Sequence, residues 1–516
     1  MSTETGKVAK NSVLYSIASI LTKASGLLLM PIYSNVKYLT EEEYGEYNLL
    51  IQFAYAALFF VNLALNHSVL RFYSDFKNDK EKCKRFFGSI LTFVTFVGMG
   101  VVALFVLFRR PLTDVLFTGI KFFPGVILAL ITLVFNAIYA MYQSVLQTMQ
   151  QGKKYSANNI LFVATHSALN IVFIVGFRNM YIDSFHLGGV NGMMISVTIS
   201  YFLFAMYGII DLFKRGLMKV IIDREMLEMA LKYSVPLLPH TAANNIAVYI
   251  PKFFLNKVSK AYTAIYSVSS QFSSIIDVVQ ISINTALRPW FNENMKRGEE
   301  GKKDIINFTM IAFKLSVIVC LGVALFSQEL VLFIASSETY YEAWKVVPVL
   351  ACTHAVKCIY YNYTLAIMYD LRSSKYLFLC SISGTVVNFI LTWLLVVIVG
   401  LGPFGAAVSF LISRSVSASL IIAVCKRYDI IRFPLRQMVS CVILSAVFSV
   451  IGIVPVNYYA TNFVLFGEQI EFFSGWFFVN MLFKVIVFVC GCFCVIGKQR
   501  KEIIGFVKTY VLKTKD

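Results

Sequence analysis

The chain has 516 residues, of which 58% are hydrophobic and only 14% charged, and its mean hydropathy is +0.71. Soluble globular proteins carry about a quarter charged residues, so this composition excludes one and indicates a polytopic membrane protein. A formal net charge of +18 does not point to nucleic acid here, because the Lys and Arg residues sit in short loops between apolar stretches, the pattern that sets membrane orientation.

Hydropathy and loop punctuation predict an all-α protein with about fourteen transmembrane helices. They run roughly over 11–36, 46–69, 86–108, 122–148, 155–177, 188–211, 233–256, 261–287, 304–326, 346–368, 375–399, 404–425, 437–456 and 474–496. With the N-terminus inside, the cytoplasmic loops hold most of the basic residues, and both termini are expected to be cytoplasmic. The opposite loops are acidic, as at Glu41, Glu42, Glu43, Glu468 and Glu471. No cleavable signal peptide is expected, since the first apolar stretch is too long for an h-region and lacks a small-residue cleavage site.

Span one carries Lys23 near its middle and a polar stripe at helical spacing, Tyr15, Ser19, Thr22, Lys23 and Gly26. Such a helix needs protein or water on one face. Its design returns in span seven, where Tyr233 stands for Tyr15 and Pro251 for Pro31, and Phe272 then stands for Phe53. Each following span closes on an Arg and an aromatic, Arg71-Phe72-Tyr73 and Arg288-Pro289-Trp290. The alternative is chance likeness between apolar runs. A true repeat implies two six-helix lobes related by an axis along the membrane normal, with the substrate site between corresponding polar helices. The expected divisions are an N-lobe at 1–211, a cytoplasmic connector at 212–232, a C-lobe at 233–425, and spans thirteen and fourteen with a basic tail at 426–516. The connector reads as an amphipathic helix on the membrane surface, and the tail as a second such stretch or a solvated one.

An ionisable group at bilayer depth costs about 2.5–3.5 kcal/mol, so it normally faces a cavity or a partner. Lys23, Lys357 in span ten and Arg414 in span twelve are expected to meet an anionic ligand; the alternatives are snorkelling or a backbone carbonyl. Lys314 and Lys484 are read the second way. Span eight presents Ser270, Ser273, Asp277, Gln280 and Asn284 on one face, and Asp277 either takes a coupling proton or sodium ion or neutralises a nearby Lys. In span seven, Pro236 and Pro239 are expected to loosen the helix beside His240, Asn244 and Asn245. Spans two (Gln52, Tyr55, Asn62, Asn66), four (Asn136, Tyr139, Gln143) and five (Thr165, His166, Asn170) also carry polar stripes, as a sugar-sized hydrophilic passage requires; interhelical hydrogen bonds explain any one of them alone. Of the ten cysteines, Cys83 is placed in a basic loop and the rest in or near spans, with no disulfide or metal spacing. No phosphate loop, metalloprotease motif or pair of intramembrane carboxylates is present, so no cofactor and no enzyme activity are expected.

The opening helix with Asn11 and Tyr15, the Pro31 at its outer end, the loop Tyr38-Leu39-Thr40-Glu41-Glu42-Glu43-Tyr44-Gly45-Glu46-Tyr47 and the Arg71-Phe72-Tyr73 ending resemble the polysaccharide flippase (Wzx-type) branch of the multidrug/oligosaccharidyl-lipid/polysaccharide exporter superfamily. The resemblance implies two lobes rocking around a central cavity lined by spans one, two, seven and eight. It implies transport of an undecaprenyl-diphosphate-linked oligosaccharide across the bacterial inner membrane, with membrane lipids and other polysaccharide assembly proteins as partners. Spans thirteen and fourteen would frame a lipid groove, as in the related lipid II flippases. The candidate substrate-binding residues are then Lys23, Lys357, Arg414, Arg71, His240 and Asn244, with Asp277 for the coupling ion. A drug/cation antiporter of the same superfamily and a polytopic polysaccharide polymerase or ligase are the competing readings; the cationic excess argues against the first and the short outer loops against the second.

Overall fold

The computed structural model describes residues 21, 25–76, 78–182, 185–374, 376–453, 456–459, 462–465, 468–471 and 475–497, which are almost entirely helical. Most of span one, with Lys23, and the basic tail beyond Gly497 lie outside the described residues. The principal helices are α1 (Glu41–Asn62), α2 (Leu65–Phe76), α3 (Lys80–Leu107), α4 (Ile127–Thr148), α5 (Gly152–Ile171), α6 (Gly189–Lys214), α7 (Arg224–Ser234), α8 (Leu238–Val258), α9 (Lys260–Met295), α10 (Gly298–Leu325), α11 (Ser327–Ile334), α12 (Val347–Tyr369), α13 (Leu377–Thr392), α14 (Gly402–Arg427), α15 (Leu435–Ile453) and α16 (Gly475–Ile496). Each expected span from the second onward coincides with one of these helices or with a pair of them. Among the described residues nine helices are long and apolar enough to cross a membrane, or ten when the bent pair Glu41–Asn62 and Leu65–Tyr73 is taken as one span. The other long ones, α8, α9 and α12, fall short on apolarity rather than length, because polar residues such as Asn244, Asp277 and Lys357 lie within them.

The chain packs as two compact units, Met1–Ser267 with Asn388–Ala406, and Val268–Val387 with Ala407–Asp516. In the first, α1 begins at a capping box: the Thr40 hydroxyl accepts from the Glu43 amide while the Glu43 carboxylate accepts from the Thr40 amide at 2.9 Å. Glu41, Glu42 and Glu43 thus sit in the first turn, where the helix dipole favours negative charge. Span two is not one straight helix. It bends by 51° at Leu63 and Ala64, which adopt φ of 44° and 57°, so Arg71 lies on a separate helix beyond the break. No Gly or Pro announces this bend, and left-handed backbone at such residues persists only where surrounding packing over-determines it. The α4, α5 and α6 ends are tied together by Asp211, which accepts from Tyr142 Oη at 3.0 Å and pairs with Lys154 and Arg215.

Three expectations change at this level. The connector is not one amphipathic helix: α6 runs on to Lys214, an irregular stretch follows, and α7 starts only after Asp223. Pro236 lies in a 3₁₀ turn before α8, and Pro239 lies in the first turn of α8, where a missing N–H costs nothing, so of the prolines in span seven Pro251 is the one inside the body of α8. Cys83 is not in a loop; it is buried in the first turns of α3, its Sγ 3.0 Å from the Phe76 carbonyl. Short antiparallel strands also appear, Tyr181–Ile182 against Phe185–His186, and Val456–Tyr459, Asn462–Leu465 and Glu468–Glu471 in a meander.

Asp223 pins the connector to α3. Its amide donates to Ser89 Oγ at 2.8 Å, its carboxylate caps α7 through the Glu225 and Met226 amides, and it pairs with Arg85. Burial opposes the ionised form, but the Met226 amide and the Arg85 guanidinium outweigh it and hold the carboxyl below its ordinary value. A group lowered in this way contributes stability above its unfolded value and loses it as pH falls through the folded one. Asp223→Ala is therefore expected to cost about 0.5–2 kcal/mol at pH 7, with the gap to wild type closing below about pH 4. Thermal unfolding of the purified protein at the two pH values measures this, and a gap that is the same at both would remove the charge from the account.

Candidate functional site

In the second unit α9 faces α12, and their polar residues meet. Asp277 Oδ1 lies 2.8 Å from Lys357 Nζ and 3.0 Å from His354 Nδ1. The arrangement follows from periodicity: His354 and Lys357 are three residues apart and so share a face of α12. Gln280, one turn on from Asp277, locks the crossing by donating to the His354 carbonyl at 2.7 Å. Lys357 Nζ also lies 5.3 Å from the Tyr361 ring centroid, within cation–π range. Arg414 on α14 is buried, stacks over Phe410 at 5.0 Å and is within electrostatic reach of Lys357.

This changes the reading of Lys357. It was expected to be a cation awaiting an external anion, and instead it holds an internal carboxylate. The side chains of Asp277, Lys357 and His354 nonetheless keep 20%, 19% and 13% of their surface. Lys484 contrasts with them: fully enclosed, it reaches Glu329 Oε1 at 2.6 Å and Gln328 Oε1 at 2.8 Å. Lys314 donates to the Ile496 carbonyl at 2.9 Å.

The remaining candidates belong to the first unit. Arg71 is exposed, pairs with Asp75 at 3.3 Å and stacks on Phe72. His240 and Asn244 share a face of α8, where the Asn244 amide donates to the His240 carbonyl at 3.0 Å. The stripes of spans four and five are partly met locally, Gln143 by Tyr139 and Asn170 by His166. Tyr55 meets Tyr201 at 3.4 Å, and Phe162 packs on Tyr139 and Tyr201.

Sequence reasoning missed Lys252. On α8 it is 8% exposed, and its one hydrogen bond among the described residues is to Asn48 Oδ1 at 3.4 Å. Its place close to the end of span seven groups it with the adjoining loop when basic residues are counted.

The sequence model of a family described as polysaccharide biosynthesis protein matches residues 8–295. The chain belongs to this polysaccharide biosynthesis family. Among solved structures it is similar to the lipid II flippase MurJ in an inward closed conformation, with a TM-score of 0.68 and 15% identity over 95% of this chain and 100% of that one. It is also similar to the Vibrio cholerae MATE transporter VcmN, in mutant form, with a TM-score of 0.58 and 13% identity over 83% and 98% of the two chains. A Pyrococcus furiosus MOP superfamily transporter, described as having a binding pocket of reverse polarity, gives 0.58 and 14% over 82% and 96%. At these identities the likeness to solved structures shows the fold alone. No curated protein sequence matches the chain.

Proposed function

We propose that this polysaccharide biosynthesis protein is a flippase that carries an undecaprenyl-diphosphate-linked oligosaccharide from the cytoplasmic to the outer leaflet of the bacterial inner membrane. The observation that carries the reading is the polysaccharide biosynthesis family match over residues 8–295 on a chain with a lipid flippase's fold. In this reading all fourteen spans cross the membrane with both termini inside, and the lobes 1–211 and 233–425 alternate access around a shared passage. Lys23, Lys357 and Arg414 meet the diphosphate, because two phosphates leaving headgroup water need fixed cations. Arg71, His240 and Asn244 contact the glycan side, and Asp277 takes the coupling ion. A drug antiporter on the same scaffold would be expected to present acids to cationic drugs; the cationic character of these spans supports the anionic cargo instead.

A strain lacking the chain is expected to lose surface polysaccharide and to accumulate the undecaprenyl-linked intermediate on the cytoplasmic leaflet. Membrane-impermeant glycan oxidation followed by hydrazide labelling reads the leaflet. Label should appear only after the membrane is opened. Undiminished labelling from outside, or a strain whose sole defect is sensitivity to cationic drugs, would defeat the flippase reading.

A further inference from the structure

Among the described residues two largely buried acid–base pairs lie inside the second unit, and they differ in access. The Lys484–Glu329 pair is sealed, with side chains 0% and 9% exposed. The Lys357–Asp277 pair keeps about twice or more that surface on each side, and it carries a third titratable group, His354, on the same carboxylate oxygen. A sealed pair holds helices together. An accessible one can change partners.

We propose that Asp277 is an internal stand-in for the cargo's phosphate, and that cargo binding is a partner exchange coupled to uptake of a proton by the Asp277–His354 pair. The proposal rests on the diphosphate reading above and adds to it the residues, the order of events and the stoichiometry. In the resting arrangement the Lys357 ammonium donates to Asp277 Oδ1 and His354 Nδ1 lies against the same oxygen. An arriving phosphate offers the ammonium more negative charge than one carboxylate does, and Lys357 moves to a phosphate oxygen without losing its proton. Asp277 thereby loses the Lys357 ammonium, while His354 stays against the same oxygen. A proton from the cytoplasmic water then adds to the imidazole, whose Nδ1 lies 3.0 Å from that oxygen, and the pair takes up positive charge in place of the ammonium. When the cargo departs, Lys357 returns and the proton leaves. No bond other than this N–H forms or breaks.

Among the described residues the charged and titratable groups facing the pair, with Cys358 beside Lys357 on α12, fit this order. From α12 come Lys357, His354 and Tyr361; from α14 comes Arg414, which repels Lys357 in its resting place and adds to the attraction for an anion; from α10 comes Cys320. Because Lys357 must be taken from Asp277, the carboxylate competes with cargo, and its removal should tighten binding while uncoupling it from protons.

The test uses the full-length protein purified in detergent and undecaprenyl diphosphate as probe, with titration calorimetry at pH 7 in buffers of different ionisation enthalpy. Wild type is expected to take up about one proton per probe bound, by linkage. Asp277→Asn should bind about tenfold more tightly, a typical coupling factor, with no uptake, and His354→Gln should bind with uptake abolished at this pH. Lys357→Met should bind more weakly than wild type. Binding by wild type without proton uptake, or unchanged uptake in Asp277→Asn, overturns the exchange and leaves the flippase reading standing. No binding of the probe by wild type overturns the diphosphate reading and the exchange with it. The wild-type proton count decides the matter even if no variant can be recovered folded.

Discussion

Lys484→Met is expected to destabilise the second unit by about 3–5 kcal/mol, the usual consequence of removing one partner of a buried pair. The lysine lies near the middle of α16, fully enclosed, with Glu329 Oε1 at 2.6 Å and Gln328 Oε1 at 2.8 Å. Its removal takes the ammonium away from a carboxylate that is itself 9% exposed. Replacing both groups by uncharged ones of similar volume is often neutral or stabilising, because the desolvation of two ions offsets much of their attraction. The double variant Lys484→Met/Glu329→Gln should therefore recover most of the loss. Thermal unfolding of the four proteins of the cycle, followed with a thiol-reactive dye that reports exposure of the buried cysteines, gives the coupling directly. A double variant as unstable as the worse single one would remove the ion pair from the account of this unit.

Gly45→Val is expected to leave little folded protein in the membrane, and Gly45→Ala to lower stability, against the usual benefit of alanine in a helix. A Cβ at Gly45 would stand 2.0 Å from the Lys260 carbonyl oxygen, 2.8 Å from its carbon and 3.3 Å from the Ala264 nitrogen. All three are backbone atoms, so no rotamer change relieves the clash, and α1 must move off the first turn of α9. The movement would also stretch the Glu46–Lys260 pair, now 2.8 Å. Overpacking costs about 1–3 kcal/mol even where side chains yield, which exceeds the roughly 1 kcal/mol that alanine gains over glycine in a helix. Gly100 on α3 is the control, since a Cβ there meets nothing within 4 Å. Gly100→Ala should be neutral or stabilising. If Gly45→Ala accumulates and unfolds like wild type, the close approach does not govern this packing.

Gly45 also explains part of what made the chain recognisable. The stretch Thr40-Glu41-Glu42-Glu43-Tyr44-Gly45-Glu46 combines a capping box, a first turn of acids, a residue small enough for helix contact and an ion-pair partner for Lys260. Its signature is architectural. The candidate site was legible to a different degree: depth alone singled out Asp277 and Lys357, and the two alternatives for Asp277 included neutralising a lysine. Which lysine it meets depends on a partner 80 positions away along the chain. Lys252 escaped notice because its burial comes from Asn48 and neighbours on other helices, while its own segment places it beside a loop.

Composition and loop charge were enough to establish a multi-pass membrane protein and to place its helices from the second span onward, because a helix in lipid must satisfy its own backbone and advertise its apolar length locally. The same locality holds for the capping box at Thr40. Tertiary structure alone decided what the polar residues inside those helices do. It joined Lys357 to Asp277 and His354, enclosed Lys484 against Glu329, bent span two at Leu63 and Ala64, and brought the Lys260 backbone against Gly45. Each of these depends on which faces of distant helices meet, and the energy of a buried charge or a close backbone contact is set by a partner that one helix's sequence does not contain.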